Sequence, residues 1–185
     1  MNPGWAKKKQ IRVRTITLDR ETIRSILVAL AFQEREFVRK ARSLQRKFNS
    51  LDKAFIRPLL FALGRLMKET LEEAIEDGEQ SVVIRMRQDE HGVLKRAVHQ
   101  KVKAMRKFHT WVQDSDSQKI NEDRFGDALK RFVGCESILK QAWSKGTDRE
   151  NVDINNVRKK LVAWGRKELS GAIEKLNQEN ERSQA

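Results

Sequence analysis

Between residues 19 and 50 the chain carries one long helical pattern, and this pattern most restricts what it can fold into. Ile23, Leu27, Leu30, Phe37, Ala41, Leu44, Phe48 and Leu51 form an apolar seam at helical steps, broken only by Glu34. Opposite the seam stand Arg35, Arg39, Arg42 and Arg46, at steps of four, three and four. One face must be buried and the other presents a row of guanidiniums. At ~1.5 Å rise per residue the row spans roughly 16 Å, enough to meet several phosphates of a nucleic-acid strand. Guanidinium is the side chain best shaped to grip phosphate with two parallel hydrogen bonds. A solvated charged face is the ordinary explanation of such a row. Here the row is all arginine, in a chain of net charge +13.

That charge comes from 39 Lys and Arg against 26 Asp and Glu in 185 residues. Such an excess points to a polyanionic partner, which means DNA, RNA or an acidic surface. It is unevenly placed. Residues 1–57 carry +10, residues 58–80 carry −4, residues 81–113 carry +6, and the rest is nearly balanced. The excess therefore belongs to the N-terminal segment, the first helix and the third.

The length fits one domain or two small helical lobes. The absence of Tyr and the presence of only two Pro favour helix over a β-sandwich. The expectation is an all-α bundle of about five helices with a basic N-terminal arm. The arm covers residues 1–18, an N-terminal helical lobe 19–113, a linker 114–119 and a C-terminal helical lobe 120–180. Within the arm, Ile11 and Val13 alternate with Arg12 and Arg14 as a short extended segment. A second helix is expected from about Leu51 to Asp77, with a break near Pro58 and Gly78 as its C-cap. Residues 81–87 read either as a strand pairing with the arm or as an irregular link. A third helix follows Gly92. A fourth starts near Asn121 and is weakened, even split, at Gly126 and Gly134, ending at Gly146. The last helix follows Asp153, and the polar tail from Asn177 is expected to fray.

The third helix repeats the logic of the first. Arg96, Gln100, Lys103 and Lys107 recur at four, three and four, with Lys95, His99 and Arg106 beside them. Such rows suit the nucleic-acid backbone rather than base edges, because no zinc-finger spacing, ribonucleoprotein motif or short helix-turn-helix is visible. The phenylalanines, Phe108 and Phe125 among them, fall on or near core positions and do not interleave with the basic residues as a stacking platform would. Trp5, in the arm beside Lys7 to Lys9, is the exception, placed to stack on a base, to dock on a partner or to be a simple surface residue.

Catalytic and cofactor signals are absent. His91, His99 and His109 lack metal-ligand spacing. The carboxylates at Asp89-Glu90, Asp114 with Asp116, and Glu122-Asp123 lack the pattern of a nuclease. No glycine-rich phosphate loop or nucleophile–base set is present. Cys135 sits among Phe132, Val133 and Ile138 as a structural thiol. No catalytic residue, metal or cofactor is expected. No apolar run is long enough for a membrane span, and no signal core opens the chain, so a cytoplasmic protein is expected.

Two short motifs add a resemblance. Ile120-Asn121-Glu122 at a helix start, and Trp164-Gly165-Arg166-Lys167-Glu168 in the last helix, are joined by Asp153, Val157 and Leu161. This C-terminal third resembles the small helical subunit of Cascade-type CRISPR surveillance complexes. The resemblance implies a non-catalytic antiviral-defence subunit that contacts a CRISPR RNA–protein filament and helps hold target or displaced DNA, with Arg166 and Lys167 in the matched run. The first 119 residues show no such motif. The expected interface is therefore Arg35, Arg39, Arg42, Arg46, Arg96, Lys103, Arg106, Lys107, Arg166 and Lys167. The expected partners are nucleic acid and other subunits of a ribonucleoprotein complex. The alternatives are a helical regulatory factor that pairs, or self-associates, through the seam of helix one, and a DNA-binding replication or transcription regulator of a mobile element.

Overall fold

The computed structural model describes residues 10–48, 56–76, 78–114 and 122–184. It is mostly helical, with five helices and a small sheet. In chain order these are β1 (Gln10–Asp19), α1 (Arg20–Phe48), α2 (Ile56–Glu76), β2 (Ser81–Arg87), α3 (Gln88–Asp114), α4 (Glu122–Lys145), β3 (Thr147–Asp153) and α5 (Ile154–Gln184). The sheet order is β2-β1-β3, with both pairings antiparallel. The expected helical bundle is present.

The extended segment of the basic arm is a strand. Its residues 10–18 belong to the central strand of the sheet. In that strand Ile16 pairs with Ile84 and Leu18 with Val82. Alternation puts Ile16 and Leu18 of β1, with Ile84 and Met86 of β2, on one buried face. Thr17, Val83 and Arg85 stand exposed on the other. Residues 1–9, with Trp5 and Lys7 to Lys9, lie outside the described residues. Residues 81–87 are the strand rather than the irregular link. β3 was not expected from sequence, because Thr-Asp-Arg-Glu-Asn-Val-Asp has no apolar alternation. It is a strand because it completes the open edge of β1.

Helix boundaries follow local chemistry. Asp19 caps α1: its carboxylate accepts the Thr22 amide at 2.8 Å and the Thr22 hydroxyl at 2.6 Å. Burial pushes this carboxyl up, but the Thr22 hydrogen bonds outweigh that and hold it below its ordinary value. A carboxyl depressed in the folded state contributes stability above its unfolded value and loses it as pH falls through the folded one. Asp19→Ala is therefore expected to cost about 1 kcal/mol near neutral pH. The gap to wild type should close as pH drops below the ordinary value of 3.8. Urea unfolding at several pH values checks this, and a gap that stayed constant with pH would remove the ionised cap.

Pro58 falls in the first turn of α2, where its missing N–H has no partner to lose, so it causes no interior break. Gly78 follows α2 at φ 76°, and its N–H reaches the Ile75 carbonyl at 3.4 Å, the expected C-cap. α3 begins at Gln88, before Gly92 rather than after it, because Glu90 reaches back to the Arg87 amide at 2.8 Å as one half of a capping box. Burial pushes the Glu90 carboxyl up, against the lowering effect of Arg87. α4 is a single helix through Gly126 and Gly134, and α5 stays helical to Gln184 instead of fraying at Asn177. Of the linker 114–119, Asp114 ends α3 and the rest lies outside the described residues.

The main core joins β1 and β2 to α1, α2, α3, α4 and α5. Ile23, Leu63, Met67, Leu94, Leu139 and Val162 all lie in this one cluster. A second cluster, with Val38, Ala41, Phe61, Leu169 and Ile173, holds the later part of α1 to α2 and α5. Burial of this apolar surface is the dominant favourable term in folding. Arg14 ties the sheet to the helices. It donates to Asp148 at 2.8 Å and to the Trp143 carbonyl, and its guanidinium lies 5.5 Å from the Trp143 ring centroid. On α3, His91 stacks on Trp143 at 4.6 Å and donates from Nε2 to the Leu139 carbonyl at 2.9 Å. Burial pulls the His91 pKa down, which keeps the ring neutral at pH 7.

Candidate nucleic-acid interface

The arginine row of α1 is at the surface for as far as its side chains are described. Arg35 and Arg39 are exposed and Arg42 is half-buried, its Nε sheltered without a hydrogen-bond partner. The side chain of Arg46 lies outside the described residues. Of the seam, Ile23, Leu30 and Ala41 are buried and Leu27, Phe37 and Leu44 half-buried, while the side chains of Phe48 and Leu51 lie outside the described residues. Arg39 is not wholly solvated charge, since Glu36 accepts from it at 3.1 Å. That pair is exposed, and such pairs contribute little.

Glu34, the one break in the seam, has a tertiary reason. Arg65 of α2 reaches it at 2.9 Å and also pairs with Glu168 of α5. Arg65 packs over the Phe61 ring at 5.1 Å as well. One guanidinium thus fastens α1, α2 and α5 together, and its charge is spent inside the fold.

Beside this clasp α1 and α5 form an open groove of about 610 Å³. Arg35, Val38 and Arg39 line one side, and Lys167, Lys175 and Leu176 the other. The fold thus brings Lys167, distant in sequence, beside the arginine row of α1. Its neighbour Arg166 is exposed on α5 and does not line this groove.

On α3, Arg96, Lys103, Arg106 and Lys107 are all exposed. Arg96 lines a second groove, of about 680 Å³, between α3 and α4, with Lys95, His99 and Lys140. His99 also meets Glu136 there at 3.1 Å. The candidate residues therefore fall into two groups, one on α1 and α5 and the other on α3.

Sequence reading missed two features. Lys101 lies on the α1 side of α3, its ammonium 4.8 Å from the Phe32 ring centroid and 5.9 Å from that of Phe132. Burial, then the nearby charge of Arg35, pulls its pKa down. The basic edge of α1 thus approaches α3 through a cation–π contact. The second feature is an aromatic cluster where α3 ends. Phe108 is 47% exposed, against the expectation that it lies on or near a core position, and Trp111 is 59% exposed. The Phe108 ring is 6.0 Å from that of Trp111 and 6.4 Å from Phe125 of α4, and His109 stacks on Phe125 at 5.2 Å. The signal in the sequence was Trp111 itself, at the four-residue step after Lys107.

Among the described residues no three His, Cys, Asp or Glu side chains gather as a metal site, and no helix is long and apolar enough to cross a membrane. Cys135 is buried, and burial raises its thiol pKa, the opposite of an activated nucleophile. The chain matches no protein-family model, no curated protein and no solved structure.

Proposed function

We propose that this protein is a non-catalytic subunit that binds the backbone of a nucleic acid. The single observation that carries this reading is the exposure of basic rows on two helices, with Arg35 and Arg39 on α1 and Arg96, Lys103, Arg106 and Lys107 on α3. Regular spacing along rigid helices suits a repeating phosphate backbone. Arg166 and Lys167 of α5 extend the charged surface, Lys167 directly beside the α1 row. Burial of Ile23, Leu30 and Ala41 in the described part of the α1 seam favours this reading over pairing through that seam, because a coiled-coil partner there would have to displace the core. The resemblance of the C-terminal third to Cascade small subunits supports a setting in a cytoplasmic RNA-guided CRISPR effector, where such a surface would help hold target or displaced DNA.

The test is fluorescence anisotropy of labelled single- and double-stranded DNA and RNA. Binding should be indifferent to sequence and should weaken steeply between about 50 and about 200 mM salt, because each neutralised phosphate releases counterions. No binding at the lower salt, or a strong sequence preference, would overturn the reading.

A further inference from the structure

The geometry points to a base-stacking site at the C-terminal end of α3, formed by Trp111 with Phe108, which makes single-stranded nucleic acid the preferred ligand of the basic row on that helix. The inference rests on the backbone-binding reading above and narrows it to a class of ligand.

Three observations carry it. First, Trp111 continues the row. Arg96, Gln100, Lys103, Lys107 and Trp111 follow one another at steps of four, three, four and four, so all five share one helix face. Lys107 and Trp111 are one turn apart, ~5.4 Å along the axis. Second, the ring is open. Trp111 is 59% exposed and Phe108 47% exposed, although large aromatic side chains usually bury most of their area. Phe108 is steadied from behind by Phe125, and Phe125 by His109, so the platform rests on α4. Third, the surroundings suit a polyanion. No acidic residue occurs from His91 to Gln113, so the row carries no internal acid; Asp114 closes α3 after Trp111, and on α4 Glu122 and Asp123 belong to the first turn.

A strand with unstacked bases can set its phosphates along Lys103 and Lys107 and lay one base on the Trp111 ring. A duplex keeps its bases stacked internally and has no free face to offer. Stacking is tolerant of sequence, because every base has a π-face. The site thus adds strand selectivity to the backbone rows without adding base readout.

The experiment compares the full chain with Trp111→Ala and Trp111→Phe, using a labelled single-stranded DNA of mixed sequence and the duplex of the same sequence. Wild type should bind the single strand more tightly than the duplex. Trp111→Ala should lose roughly tenfold on the single strand, the order expected for one stacked base, and keep its duplex affinity. Trp111→Phe should keep most single-strand affinity but lose the share of the tryptophan quenching by the single strand that Trp111 gives in wild type. Binding by wild type that Trp111→Ala leaves unchanged, or weakens equally on both ligands, overturns the stacking site while the backbone reading stands. Failure of wild type to bind either ligand overturns both. Because Trp111 is mostly solvent-exposed, its replacement is expected to leave the fold intact, and urea unfolding of Trp111→Ala verifies this.

Discussion

Reversing two row positions at once, Arg35→Glu with Lys103→Glu, is expected to weaken nucleic-acid binding roughly 10- to 100-fold at low salt, at about 1.4 kcal/mol per tenfold. Each lost phosphate contact removes about one unit from the slope of log affinity against log salt, so the double variant should also be shallower by about two. Both side chains are exposed, and neither is part of the Arg65 clasp or the core clusters, so the fold should survive. Arg35→Glu also places a carboxylate near the partly buried ammonium of Lys101, in place of a like charge. The decisive control is Lys159→Glu with Lys160→Glu on exposed positions of α5. Both double variants stand four charges below the wild type's +13. If only net charge mattered, both would weaken equally, and that outcome would remove the assignment of the rows. Loss confined to the first variant locates the interface.

The second large effect concerns Gly165, in the run Trp164-Gly165-Arg166-Lys167-Glu168. A Cβ at this position would lie 2.0 Å from the Pro58 carbonyl oxygen and 2.8 Å from its carbon, with the Ala62 methyl at 3.0 Å. The obstacle is backbone at the start of α2, which cannot swing aside as a flexible side chain can. Gly165→Ala must therefore push α5 away from α2 along their contact. The expected loss is about 2–3 kcal/mol of unfolding free energy from overpacking. It should appear despite the ~1 kcal/mol that alanine ordinarily gains over glycine inside a helix. Gly126 supplies the opposite case. It is also helical, but a Cβ there meets nothing within 4 Å. Gly126→Ala should stabilise by about 0.5–1 kcal/mol through backbone entropy alone. Chemical denaturation of the two variants should give shifts of opposite sign. A stabilised Gly165→Ala would mean that α5 and α2 do not approach this closely.

These two glycines show how far sequence could be read. Both sit in helices and both look like weak points on propensity. Only the neighbouring helix makes one of them indispensable. Glu34 is similar. In sequence it is a flaw in an apolar seam, and only the approach of Arg65 from α2 turns it into one side of an ion-paired clasp. Trp111 is the reverse case, an aromatic at helical spacing from a basic row whose exposure sequence could not reveal. Periodicity places a side chain on a face but does not say which neighbour covers that face.

By itself the sequence determined the helices, and with them which faces must be buried. A seam repeating at helical steps from Ile23 has no other low-energy arrangement, and it turns Arg35 and Arg39 on the opposite face outward. It also determined the strongly positive charge and where along the chain it gathers. The tertiary structure decided what those local rules leave open. It made residues 10–19 a central strand, because Ser81–Arg87 on one side and the polar Thr147–Asp153 on the other satisfy its backbone hydrogen bonds. It set Lys167 beside Arg35 and Arg39, and left Phe108 and Trp111 uncovered. Those outcomes depend on contacts between residues far apart in the chain, and local spacing carries no information about them.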